Sequence, residues 1–403
     1  MRLKVLVISH MYPNPANPMS GIFVHNQVKA LVAAGVECRV VSPIPRFPLY
    51  PKWKAYREFP KRTVMDGIII DYVPTWMFPG GFFFGAYGML YYWSLSRHLT
   101  ALRREFPFDL IHCHTIYPDG HAGGKLKSLF GVPVVSTIHG SDIRLYPKRS
   151  RWVYRNTEEA LRLSDHIIAV SDRLRKEALQ MVAGIEAVTI YNGFDPSRFY
   201  PRNQKEVRQQ LGLDEQHKIA LFVGNFYPVK GLSYLLTAFA QLVEKDPSVR
   251  LVMVGDGPLK SQLQRQCSEA GIRDYVLFQG RRPHDEIPLW INAADVVVLS
   301  SLSEGLPSIL LESMGCGKPF VATDVGGIAE ILQHRKTGFL VKPENADELA
   351  RYLSILLIEE EGLAHDMGER AYTLSGSLTW KENAERVKRL YEQMLNQQVD
   401  TSS

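Results

Sequence analysis

Cysteine is scarce. Cys38, Cys113, Cys267 and Cys316 are the four in 403 residues, and no two form a Cys-x-x-Cys pair. A disulfide framework or cysteine-built zinc site is not expected; buried free thiols in a reducing compartment are. Charge of one sign is also lacking. The net value is +5, from 47 basic and 42 acidic residues, which by itself does not indicate nucleic-acid binding. The N-terminal apolar run is too short for a secretory leader and is interrupted by Lys4, so it reads as a first buried strand in a cytoplasmic protein. An unbroken membrane span is missing as well. Residues 73–96 carry no charge and are long enough to cross a bilayer. Pro74, Pro79, Gly80, Gly81, Gly85 and Gly88 break that stretch, and Tyr and Trp run through its middle instead of marking its ends. An interfacial or acceptor-facing loop and helix are expected there.

What is present is an alternation of short apolar runs and amphipathic stretches. A length of 403 residues favours two domains, and 45% hydrophobic with 22% charged residues is a globular composition. Strands are predicted at 3–9, 37–41, 68–72, 110–114, 134–138, 166–170 and 188–190. A helix over 23–34 follows from Val24, Val28, Leu31 and Val32, closed by Gly35. Turn chemistry at Asn192-Gly-Phe-Asp-Pro196 precedes a restart, with strands at 219–223, 249–254, 275–278, 296–299 and 320–323 and a helix over 233–244. His10-Met-Tyr-Pro13 and Asn225-Phe-Tyr-Pro228 are a faint internal echo. The fold class is therefore α/β, as two Rossmann-like doubly wound domains of residues 1–195 and 196–375, with the natural site in a cleft between them beyond the strand ends. A last amphipathic helix covers about 376–397, with Ala384, Val387, Leu390, Tyr391 and Met394 on one face.

The richest segment follows the 296–299 strand: Ser300-Ser-Leu-Ser-Glu-Gly-Leu-Pro-Ser-Ile-Leu-Leu-Glu312. Pro307 suits a first helical turn, and helix N-termini collect phosphates through free N–H groups. Gly305 admits a ligand close to the backbone. Glu304 and Glu312 lie on the order of 10 Å apart on helical rise. That separation fits a sugar and a ribose on either side of a diphosphate, since each carboxylate can accept from two hydroxyls.

The order and spacing of several motifs carry a resemblance over nearly the whole chain. They are Ser20-Gly21, His139-Gly-Ser-Asp142, Asn192-Gly-Phe-Asp195, Gly224…Lys230-Gly231, Val254-Gly-Asp-Gly-Pro258, Ala294-Asp295, Glu304-x7-Glu312 and Gly315-Cys-Gly-Lys-Pro319. The chain resembles retaining glycosyltransferase family 4, of GT-B fold, and within it the bacterial enzymes of cell-surface polysaccharide assembly such as the teichuronic-acid glycosyltransferases. The resemblance implies that the first domain binds a glycan or lipid-linked acceptor and the second a nucleotide-diphosphate sugar, with the final helix crossing back to the first domain. It implies Lys230 on the donor diphosphate, Glu312 on the ribose, Glu304 at the transferred sugar and the backbone of Gly305 and Leu306 on phosphate. His139 would face the sugar from the first domain, and Gly21 would lie on a loop closing over the phosphates. Gly255 would also line the donor site, and no cofactor or metal is implied. No Asp-x-Asp motif of metal-dependent transferases occurs.

One position departs from the family pattern. Asn225 stands where the resemblance expects an arginine beside Lys230, so Arg281 or Arg282 is the candidate for the missing charge. Smaller signals have plainer readings. His112-Cys113-His114 is a strand end rather than a metal cluster, Gly255-Asp-Gly257 is an incomplete dinucleotide fingerprint, and Asp172 beside Ser171 reads as a helix cap. Residues 46–62 carry Arg46, Lys52, Lys54, Arg57, Lys61 and Arg62 against Glu58 alone, among aromatics; 144–155 add Arg144, Lys148, Arg149, Arg151 and Arg155. These segments read either as a solvated basic surface or as contacts for anionic lipid headgroups at the inner face of a membrane or for a lipid-diphosphate acceptor, and no nucleic-acid partner is expected. The expected activity is a retaining, metal-independent hexosyl transfer. The alternatives are a non-catalytic nucleotide-binding relative and a sugar-nucleotide epimerase of the same fold.

Overall fold

The computed structural model describes residues 2–47 and 49–402. The side chains of 398–402 and of Lys52, one of the basic positions above, lie outside the described residues. The chain forms two units, Met1–Asn192 with Trp380–Ser403, and Gly193–Thr379. The junctions fall at 192/193 and 379/380, close to the turn-rich Asn192-Gly-Phe-Asp195 and the start of the last helix.

The first unit is built on eight strands: β1 (Lys4–Ile8), β2 (Glu37–Arg46), β3 (Arg62–Met65), β4 (Ile68–Trp76), β5 (Leu110–His114), β6 (Val134–Ile138), β7 (His166–Ala169) and β8 (Ala187–Thr189). Their order is β3-β4-β2-β1-β5-β6-β7-β8, parallel throughout except for β3 against β4. The alternation of β1 explains why both faces are covered. Val5 and Val7 pack with Val24, Val28 and Leu31 of the helix Ile22–Ala33 and with Ala384, Val387 and Tyr391 of the helix Trp380–Ser402. Leu6 and Ile8 point the other way, to Tyr91, Leu95 and Leu99 of the helix Tyr87–Glu105. The final helix is also fixed by polar contacts, Gln27 Nε2 donating to Asn383 Oδ1 at 2.8 Å and the Tyr391 hydroxyl meeting His112 Nδ1 at 2.6 Å.

The charge-free stretch 73–96 becomes the end of β4, short turns and the start of the helix Tyr87–Glu105; among the described residues no helix is long and apolar enough to cross a membrane. β2 runs past Val41 to Arg46 through Pro43 and Pro45. Its pairing with β1 ends at Val41, so these prolines lie where only β4 is a neighbour and fewer ladder bonds need an N–H. The helix Asp172–Met181 is capped by the Ser171 hydroxyl, which accepts from Leu174 N. Asp172, expected as the cap, instead pairs with Arg175 and Lys176.

The second unit has six parallel strands: β9 (Lys218–Val223), β10 (Val249–Val254), β11 (Val276–Gly280), β12 (Val296–Leu299), β13 (Phe320–Thr323) and β14 (Gly338–Val341). Their order is β11-β10-β9-β12-β13-β14. The direction of winding reverses at β9, between β10 and β12, where open parallel sheets leave a crevice beyond the strand ends. In the first unit β1 holds the corresponding place, between β2 and β5.

Candidate active site

In the second unit the loops after β9 and β12 meet at that reversal. Lys230 Nζ lies 2.5 Å from Glu304 Oε1, and Ser301 Oγ donates to the same oxygen at 2.6 Å. The backbones are joined too: Leu302 N donates to Val229 O at 2.7 Å, and Ser300 Oγ to Lys230 O at 2.9 Å. Gly231 is needed for this approach. It sits at φ +59°, and a Cβ there would lie 2.2 Å from Ser300 O. The pair is largely screened from solvent, with Lys230 and Glu304 side chains 21% and 11% exposed.

Glu304 precedes the helix Ser308–Gly315, and Glu312 lies within it. Pro307, expected in the first turn, occupies the N-cap position, so the residue before the first helical N–H groups contributes no capping side chain. Leu306 is buried, and Gly305 O accepts from Gly327 N at 2.7 Å, which ties this loop to the one after β13. Glu312 Oε1 is 3.0 Å from His284 Nε2, in the loop after β11. A carboxylate only accepts, so Nε2 carries the proton. His284 Nδ1 is buried without a hydrogen-bond partner among the described residues, and its ring packs against Phe199 at 5.4 Å. Glu304 and Glu312 are thus each held by their own basic side chain.

Gly255 lies against the loop after β9; its φ is +144°, and a Cβ there would meet Gly224 O at 1.9 Å. Phe226 N donates to Asp256 O at 2.9 Å, so the loops after β9 and β10 are stitched together with the Asn225 side chain exposed between them. Arg282 is committed elsewhere. It bonds Gln279 O and Oε1 at 3.2 and 3.1 Å, faces Glu286 at 3.8 Å and stacks over Trp290. Arg281 is exposed directly after β11, with no ion pair among the described residues.

The first unit gathers its own cluster at the ends of β1, β5 and β6. His139 follows β6, and its ring stacks on His114 at 5.4 Å and packs on Phe23 at 4.7 Å. Asp142 places it, accepting from the backbone N–H groups of His139, Gly140 and Ile116 at 3.1, 2.8 and 2.9 Å. Burial, reinforced by the charge of His10, holds the His139 imidazole down to about 3. His10 behaves oppositely: burial works against its charged form, but the charge and 2.8 Å hydrogen bond of Asp119 outweigh burial and raise its pKa. Gly21 begins the helix Ile22–Ala33 at φ +57°. His112 and His114 share one face, 4.3 Å apart, while Cys113 points to the other, against Gly123. Among the described residues no group of three or more His, Cys, Asp or Glu could hold a metal ion.

The contacts made by His284, Ser301, His10 and Asp119 escaped the sequence reading. Each residue follows a strand of its sheet, which was the available signal, but their partners are distant in sequence.

Two family models divide the chain. Residues 20–198 match that described as Glycosyltransferase Family 4, and residues 203–374 that described as Glycosyl transferases group 1. A provisionally named teichuronic acid biosynthesis glycosyltransferase, TuaC of Bacillus subtilis (strain 168), is 30% identical over 365 residues, which cover 87% of this chain and 88% of that protein. Among solved structures, a sucrose-phosphate synthase from Thermosynechococcus elongatus superposes with a TM-score of 0.82 at 22% identity, over 98% of this chain and 100% of that one. Anabaena Alr3699/HepE, solved in complex with UDP-glucose, gives 0.74 at 22% identity, over 97% and 100%. At these identities the structural likeness establishes the fold, which is GT-B.

Proposed function

The chain belongs to the group 1 and family 4 glycosyltransferases, and on that premise we propose that it moves a hexose-type sugar from a nucleotide-diphosphate donor to a glycan or lipid-linked acceptor, with retention, in cell-surface polysaccharide synthesis. The observation that carries this reading is the Lys230–Glu304 pair beside the start of the helix Ser308–Gly315. In the proposed reaction the bond from the anomeric carbon to the diphosphate breaks and negative charge gathers on the departing oxygens. In this reading Lys230 and the helix N-terminus meet that charge, in the role a divalent cation would otherwise fill. The acceptor oxygen bonds to the same face of the sugar, through an oxocarbenium-like state, and its proton leaves with the diphosphate. Glu304 is assigned to the transferred sugar and Glu312, steadied by His284, to the ribose. Gly305, Leu306 and Gly255 contribute backbone to the donor site. Gly21 and His139 are the proposed contributions of the first unit.

The test is incubation with a panel of nucleotide sugars and acceptors, in chelator, with the anomeric configuration of the glycoside read by NMR. Retained configuration and chelator-insensitive turnover are expected. An inverted product or chelator-abolished turnover would overturn those parts of the reading. Nucleotide release without any glycoside would favour an epimerase.

A further inference from the structure

The mechanism leaves unused a surface of the first unit on which three segments of the sequence converge. They are residues 46–57, 76–84 and 145–155, and none of the three contains an aspartate or glutamate. Ring contacts join the first two. Phe47 packs edge-on to Trp76 at 6.2 Å and against Phe78 at 5.7 Å, Phe78 meets Phe83 at 5.4 Å, and Phe83 meets Phe82 at 6.2 Å. The third joins through Phe84, which touches Tyr146 at 5.2 Å and lies 4.5 Å beneath the Arg149 guanidinium. Trp152 seals the junction, its ring so close to Gly85 that a Cβ there would lie 2.4 Å away.

This surface presents apolar side chains outward. Leu49 is 83% exposed, Phe82 74% and Phe83 60%, and Trp76 and Trp152 are about half exposed. Phe82 and Phe83 project from a loop opened by Pro79-Gly80-Gly81, and Phe83 is held at φ +55°, a conformation uncommon for a bulky residue. The same three segments carry exposed basic groups, Arg46, Lys54, Lys148, Arg149, Arg151 and Arg155, of which Arg46 lies over Trp76 and Arg149 over Phe84. Arg144 and Arg62, also counted from sequence, are engaged elsewhere. Arg144 is held by Glu177 through two bonds of 2.7 Å, and Arg62 by Asp71 and Glu105.

We propose that this face docks the protein peripherally on an anionic lipid bilayer, with Phe82, Phe83 and Leu49 entering the headgroup boundary and the basic fringe on lipid phosphates. Outward aromatics inside a rim of one charge sign complement a surface that is negative outside and apolar beneath. A rim rich in arginine and lysine repels its own copy, which disfavours self-association through this face.

Sedimentation of the full chain with phosphatidylglycerol or phosphatidylcholine vesicles, without donor or acceptor, tests this. The vesicles carry no sugar acceptor, so retention reports on the bilayer surface itself, whether or not the chain transfers a sugar. Binding to the phosphatidylglycerol vesicles that weakens with salt is expected. F82S/F83S and K148E/R151E should each lower it by about tenfold or more. Equal binding to phosphatidylcholine, no binding to either, or full binding by both variants would overturn the proposal. So would an oligomer in lipid-free solution that F82S/F83S dissociates, which would assign the face to a second copy.

Discussion

Lys230 Nζ stands 2.5 Å from Glu304 Oε1, although 74 residues separate them in sequence. The contact exists because β9 and β12 are neighbours at the reversal of the sheet and because Gly231 lets the two loops touch. In the proposed function it also sets up a competition, since a bound diphosphate would draw Lys230 away from the carboxylate.

That competition separates the two side chains experimentally. Lys230→Ala should cut transfer by about 10²–10³-fold, the usual cost of a lost charge-stabilising donor. Glu304→Gln should abolish most transfer yet leave nucleoside diphosphate binding unchanged or tighter, because Lys230 is released. Calorimetric titration of both variants checks this; equal weakening of diphosphate binding in the two would contradict it.

His284 steadies Glu312 through Nε2, and its Nδ1 makes no hydrogen bond among the described residues. His284→Ala should raise the donor KM about tenfold, the low end for a charge-assisted bond, with kcat little changed. A positioning role predicts that split; a fall in kcat and thermal stability with an unchanged KM would argue for a merely structural histidine.

Asn225 lacks the charge that the family pattern places beside Lys230, and its side chain is exposed. Asn225→Arg should tighten nucleoside diphosphate binding about tenfold. If Arg281 supplies the missing charge, Arg281→Ala should weaken binding in the natural sequence and matter less in the Asn225→Arg background. A neutral Asn225→Arg would show that the position does not face the diphosphate.

Much of this arrangement was legible in the sequence. The apolar runs of β1, β9, β10 and β12 mark strands covered on both faces, and Val24, Val28 and Leu31 mark the helix against β1. Glu304 and Glu312 stood out by their spacing in the segment after β12, and Lys230 through the resemblance to family 4. What stayed hidden depends on tertiary neighbours. β3 is short, with exposed residues alternating along it in a basic stretch, and β2 extends through two prolines only because one side of it is open. Nothing local to Arg281-Arg-Pro-His284 reveals that the histidine reaches Glu312 and that Arg282 is drawn to Gln279 and Trp290.

The buried histidines of the first unit give a pH signature. Burial, with the nearby His139, holds fully buried His112 down to about 3, against an ordinary value of 6.5. Between these values the unfolded chain takes up a proton that the folded chain refuses. Stability is therefore full above the ordinary value and falls as pH drops, by up to about 1.4 kcal/mol per pH unit for His112. His114 and His139 act in the same direction. His10, raised by Asp119, acts oppositely, stabilising at low pH and losing that contribution as pH rises. Thermal unfolding should therefore fall from about pH 7 to about pH 5, and His112→Gln should flatten the slope. A slope unchanged by that substitution would contradict the assignment.

The central claim is the proposal that Lys230, paired with Glu304 in the free protein, holds a sugar nucleotide's diphosphate. The most direct measurement is a thermal-shift titration of the full chain with a panel of nucleoside diphosphates and nucleotide sugars, repeated with Lys230→Ala. Selective binding to the folded state raises the melting temperature by mass action. The account predicts that at least one nucleotide sugar and its parent diphosphate stabilise the natural protein and that Lys230→Ala removes the shift. No shift from any of them, or a shift that Lys230→Ala leaves intact, would contradict it.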